Sequence, residues 1–147
     1  MKYTEANIGR IFILRLEHGD RIPRVIEDLA KQKNIISATV LFMGGAAGGS
    51  KVIVGPRDGA EAKPVPVVTA LPDACEVVGV GTIFTNEAGL PKLHLHAAFG
   101  RADTAIVGCT REGVEIWHIG EVVILELLNH SAQRKIDPKT GFELLEV

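Results

Sequence analysis

Apolar and polar positions alternate with a period of two along most of this chain, and only one stretch falls into helical spacing. Runs rich in β-branched and aromatic residues predict strands at 9–16, 37–43, 51–54, 65–70, 76–84, 92–99, 104–108, 114–117 and 121–128. Turn residues at Arg57 to Gly59 and Asn86 to Gly89 punctuate them. Between the first two strands, Ile22, Val25, Ile26 and Leu29 recur on one helical face. Asp20 offers an N-cap and Pro23 suits a first turn, so one helix is predicted to run to Lys33 and Asn34. Phe142 and Leu144, after the turn residue Gly141, predict a terminal strand. Short connections and a single helix imply an α+β fold, a largely antiparallel β-sheet packed with one main helix. No repeat or linker interrupts the pattern, so residues 1–147 read as a single domain.

Composition narrows the class. Hydrophobic residues at 46% and charged residues at 23% describe a folded globular chain, not a disordered one. The N-terminal residues Met1 to Ala6 lack an apolar leader core, and no apolar run approaches a membrane span, which predicts a cytoplasmic protein. Cys75 and Cys109, the two cysteines, are accordingly expected to be reduced, with Cys75 in the core beside the run at 77–80. A formal net charge of −2 and a pI near 6.2 argue against direct DNA binding, which draws its affinity from clustered Lys and Arg. Arg10, Arg15, Arg21, Arg24, Lys31 and Lys33 are the group that would form a local basic face. Sheet edges rich in Val and Ile need covering, which predicts a homo-oligomer.

The candidate chemistry lies in two neighbouring strands. His94 and His96 alternate with Leu93, Leu95 and Ala97, so on a strand both imidazoles share one face about 7 Å apart. Gly100 to Asp103 reads as a four-residue hairpin loop, and that register sets His94 opposite Cys109 and His96 opposite Val107. Cys109 then faces the same side as both histidines. Two nitrogens and a sulfur fit around Zn²⁺, although the softness of these ligands also suits iron, nickel or copper. Three protein ligands leave a fourth position open, as in reactive or ligand-binding zinc sites. Glu76 is the first candidate for fourth ligand or general base, and Glu121, near His118, is the second. Arg101 is positioned by sequence to clamp a substrate carboxylate.

Other motifs are set aside. Gly44 to Lys51 nearly matches a phosphate loop, but Ser50 precedes Lys51 and a strand follows, so close backbone approach is the better reading. His18 and His130, near turns, are expected to be solvated. His118, beside Trp117, is expected to serve sheet packing before any site role.

The order of several segments resembles the PPC (plants and prokaryotes conserved) domain family, whose prokaryotic members are often described as predicted DNA-binding proteins. Gly9 and Arg10 opening the first strand, residues 36–44 ending in glycine, Gly79 to Ile83, Leu93 to His96, Gly108 with its following ligand position, and Glu121 to Ile124 carry the likeness over nearly the whole chain. The resemblance implies an α+β homotrimer with a fold remotely similar to acetolactate decarboxylase, and a metal held by both histidines plus a third histidine. This chain has Cys109 at that third position, which keeps a soft ligand while making bound zinc a weaker Lewis acid.

Three functions follow as expectations. The resemblance implies a trimeric metal-binding module with a regulatory or interaction role, taking a protein partner or a small-molecule ligand. Direct DNA binding is implied by the family description and opposed by the charge. A zinc-dependent small-molecule lyase or hydrolase is the enzymatic alternative, with Glu76 as its base.

Overall fold

The computed structural model describes all 147 residues, Met1–Val147. Eleven strands and one α-helix follow in the order β1 (Asn7–Glu17), β2 (Arg21–Ile22), α1 (Arg24–Gln32), β3 (Ser37–Ala46), β4 (Lys51–Pro56), β5 (Pro66–Ala70), β6 (Cys75–Thr85), β7 (Pro91–Arg101), β8 (Thr104–Cys109), β9 (Val114–Leu128), β10 (Gln133–Ile136) and β11 (Glu143–Glu146). The main sheet has nine strands, ordered β1-β9-β3-β6-β7-β8-β4-β5 with β2 paired to β9, and β10 and β11 form a separate hairpin. Every pairing is antiparallel, so the predicted α+β architecture stands.

Period-two alternation divides the sheet into two faces. Val40, Phe42, Leu95, Phe99, Val122 and Ile124 point to one side, where Ile26 and Ala30 of α1 close over them in a single apolar cluster. The helical spacing at 22–29 therefore served its purpose. Its predicted start did not: the N-cap position is Pro23, without a side-chain cap, and the Asp20 carboxylate instead accepts the Glu17 N–H at 2.9 Å.

Two predicted strands at 114–117 and 121–128 are one continuous strand, β9, in which His118 takes a left-handed φ of 61°. The irregularity matches a break in the β3–β9 pairing between Gly44 and Ala46. A Cβ at Gly44 would lie 2.5 Å from the Ile119 carbonyl oxygen, which explains why glycine stands there. Close backbone approach, not a phosphate loop, accounts for that segment. The β10–β11 hairpin was only half expected, because sequence reading found β11 but not β10.

Candidate metal centre

The site begins with a turn. Arg101 pairs with Thr104 across Ala102 and Asp103, with Ala102 at a φ of 51° and the Thr104 hydroxyl donating to the Arg101 carbonyl at 3.1 Å. The loop thus has two residues rather than the four expected, and the register moves accordingly. Cys109 faces His96, not His94, and Val107 faces Ala98, not His96. A shift of two residues changes partners but preserves faces, so the thiol still shares a side with both imidazoles.

The Nε2 atoms of His94 and His96 lie 3.0 Å apart. The candidate ligand atoms of His94, His96 and Cys109 all fall within 4.8 Å of one another. Tetrahedral zinc bonds place ligand atoms about 3.3–3.7 Å apart, so one ion fits if the two imidazole nitrogens part slightly and the sulfur closes toward them. Cys109 is buried and unpaired, in keeping with a thiol free to ligate. Although part of its ring reaches solvent, burial pushes the His94 imidazole from 6.5 down to about 4, and the charges of Arg134, His96 and Arg111 act in the same direction. His94 is therefore neutral at physiological pH, the state that donates to a metal.

Neither acidic candidate joins these three. Glu76 pairs with Gly100, four residues along β7 from His96, which separates them by about 13 Å. That distance puts Glu76 beyond an ion held by the three ligands and corrects the role expected for it within one subunit. Glu121 stands on β9, beyond both β3 and β6 from β7, about 14 Å away across the sheet. Arg101 is committed elsewhere, donating to Asp73 Oδ2 at 2.6 Å and the Ala74 carbonyl at 2.9 Å. His130 is half-buried, with Nε2 2.5 Å from the Ser37 hydroxyl, so it is not the solvated residue expected. His118 and His18 contact each other, the His118 N–H donating to His18 Nδ1 at 3.2 Å, away from the centre. Cys75 is in the core as expected, its thiol donating to the Asp73 carbonyl at 3.3 Å, and burial pushes it up from its ordinary value.

Residues that sequence reasoning missed lie beside His94. Strand β8 ends at Cys109, and the following 3-10 turn Thr110–Glu112 leads the chain away. The 91–95 edge of β7 is left without a strand partner on that side. Its polar groups are met by side chains: the Leu93 N–H donates to Glu27 Oε1 at 2.9 Å, and the Thr110 hydroxyl donates to the Leu95 carbonyl at 3.2 Å. A cavity of about 400 Å³ occupies the gap, with His94, Lys92, Arg111 and Arg134 in its wall. Nothing in the local sequence pattern around Arg134 marks it as buried. A larger concavity, of about 670 Å³ beside α1, carries no comparable chemistry, since its Arg15 and Arg24 pair with Glu17 and Asp28.

The model of the Plants and Prokaryotes Conserved (PCC) domain matches residues 3–128. The chain belongs to that family. Among solved structures, it is similar to a metal-containing protein from Archaeoglobus fulgidus at 25% identity, with both chains fully covered and a TM-score of 0.84. A plant- and prokaryote-conserved protein from Pyrococcus horikoshii is 21% identical over 100% of this chain and 98% of its own, with a TM-score of 0.85. A candidate DNA-binding protein from Bacteroides thetaiotaomicron is 17% identical over 96% of each chain, with a TM-score of 0.77. The latter two likenesses establish the PCC fold alone. No curated protein matches the sequence. The β10–β11 hairpin lies beyond the segment that the PCC model covers.

Proposed function

We propose that this PCC domain is a cytoplasmic homotrimeric metal-binding module with a regulatory or interaction role, in which His94, His96 and Cys109 hold Zn²⁺. The convergence of those three ligand atoms carries the reading. The metal-containing relative from Archaeoglobus fulgidus supports it. Assembly is supported by the sheet face opposite α1, where Ile13, Met43, Val78, Val80 and Val107 are each more than half exposed. So large an apolar surface is characteristic of a face that meets other protein, and copies of the same chain are the occupant implied by family membership. An open fourth position leaves room for a small-molecule ligand or a donor from a protein partner.

Direct duplex binding is the weaker extension. Of the six cations that would form a basic face, Arg10, Arg15, Arg21 and Arg24 pair with Glu126, Glu17, Glu115 and Asp28. Two unpaired lysines and a net charge of −2 leave little to neutralise phosphates. The candidate DNA-binding relative keeps DNA association within the reading through other partners.

A second reading, a zinc-dependent small-molecule lyase or hydrolase, is favoured by the cavity beside His94. Bound zinc there would polarise a carbonyl or acidify water, more weakly with a thiolate ligand than with a third imidazole. In that reading His94 and His96 orient the ion, and the cavity wall selects the substrate.

Elemental analysis of protein purified without added metal tests the common premise. About one ion per chain is expected in the native protein and none in a His94→Ala, His96→Ala variant. Equal metal in the two preparations overturns the ligand set, and a monomer in sedimentation at micromolar concentration overturns the trimer.

A further inference from the structure

Arg134 is 5% exposed, yet it has no carboxylate partner. Of the five N–H donors of its guanidinium, one is used, from Nη2 to the Thr82 hydroxyl at 3.1 Å, and Nε is buried with no partner at all. The group is held in place rather than loose, with its Cζ 5.9 Å from the centre of the Phe84 ring. A buried cation left this short of acceptors is costly unless something completes it. Burial draws the guanidinium below its ordinary value, Glu143 opposes that, and Arg111 adds to it.

The surroundings share the imbalance. Arg111, two residues beyond Cys109, and Lys92 line the same cavity, and neither makes an ion pair. Of the two carboxylates in the wall, Glu27 accepts the Leu93 N–H and Glu143 accepts from the Asn86 amide at 3.2 Å. Three cations against two carboxylates leave a surplus of one positive charge. Roughly 400 Å³ lies at the lower end of the range for small-molecule sites.

We propose that this cavity binds a small organic monocarboxylate, gripped by Arg134 and Arg111 next to His94. A guanidinium presents paired donors that match the two oxygens of a carboxylate. The single surplus charge fits a monoanion better than a phosphate, whose second charge would meet Glu27 and Glu143. Placement of the ligand beside an open metal position rests on the metal reading, whereas the anion site itself does not. The hairpin that supplies Arg134 stands outside the segment matched by the PCC model.

NMR titration of the metal-free protein with L-lactate and, separately, with inorganic phosphate tests the proposal. Lactate is expected to saturate in the millimolar range, with phosphate weaker, and Arg134→Gln and Arg111→Gln are each expected to weaken lactate by about tenfold or more. Arg111 is exposed, so its variant reports even where Arg134→Gln fails to fold. Equal lactate affinity in native protein and Arg111→Gln, absence of lactate binding, or preference for phosphate each overturns it. Failure of the metal reading shows separately, as absence of metal from native protein that still binds lactate.

Discussion

The two faces of the PCC sheet are written by the same alternation and have opposite fates. On one, Phe42, Leu95, Phe99 and Ile124 are buried in the apolar cluster that Ile26 and Ala30 of α1 join. On the other, Val78, Val80 and Val107 are more than half exposed, and His94 and His96 stand among them. Apolar content alone does not distinguish a core from an interface; what distinguishes them is whether this chain supplies the cover. The helix face of Ile26 and Ala30 covers the first. Chemistry collects on the second because side chains there are free to meet an ion, a ligand or another subunit.

Truncation of the covered face separates the two most sharply. Phe99→Ala removes a ring that is 1% exposed and is expected to cost about 3–5 kcal/mol, read as the shift of a urea unfolding curve. A loss below about 1 kcal/mol would mean that the face is not a packed core.

Smaller is the effect at the polar rim of that same face. Glu126 accepts the backbone N–H and two guanidinium N–H groups of Arg10, and that hydrogen bonding holds its carboxyl below the ordinary 4.5 against the opposing effect of burial. Glu126→Gln is expected to cost about 2 kcal/mol at neutral pH. A lowered carboxyl stabilises the fold above its ordinary value and loses that contribution as pH falls through the folded one. The gap between native protein and variant should therefore be constant above pH 4.5 and narrow below it. A gap that widens in acid would contradict the pairing.

Least affected should be the stability of the single chain on the open face. Val80→Asp, at a position 59% exposed, is expected to change it by no more than about 0.5 kcal/mol while lowering the molecular mass in sedimentation from that of the proposed trimer to that of one chain. Retention of the full assembly would show that copies of the chain meet elsewhere.

Period-two alternation made the faces legible before any coordinates, and it placed His94, His96 and Cys109 together even though the hairpin register was misjudged. Parity survives an error of two residues; level along the strand does not, and Glu76 stood outside that arithmetic altogether, because its β6–β7 pairing with Gly100 was not legible in the local pattern. A local pattern also cannot show how a strand is continued through a left-handed residue, so β9 was divided at His118. Arg134 was least legible of all. Its burial depends on Phe84 and Thr82, some fifty positions earlier, and Gln133 to Ile136 carries no apolar alternation to betray it.

One pairing sets the timetable of folding. Strand β1, with Ile8, Ile11 and Ile13 exposed, finds its only sheet neighbour in β9, so it stays without a hydrogen-bonding partner until the ribosome has released residues near Leu128. Until then the Ile-rich ribbon presents unpaired strand edges of the kind that chaperones and neighbouring nascent chains capture.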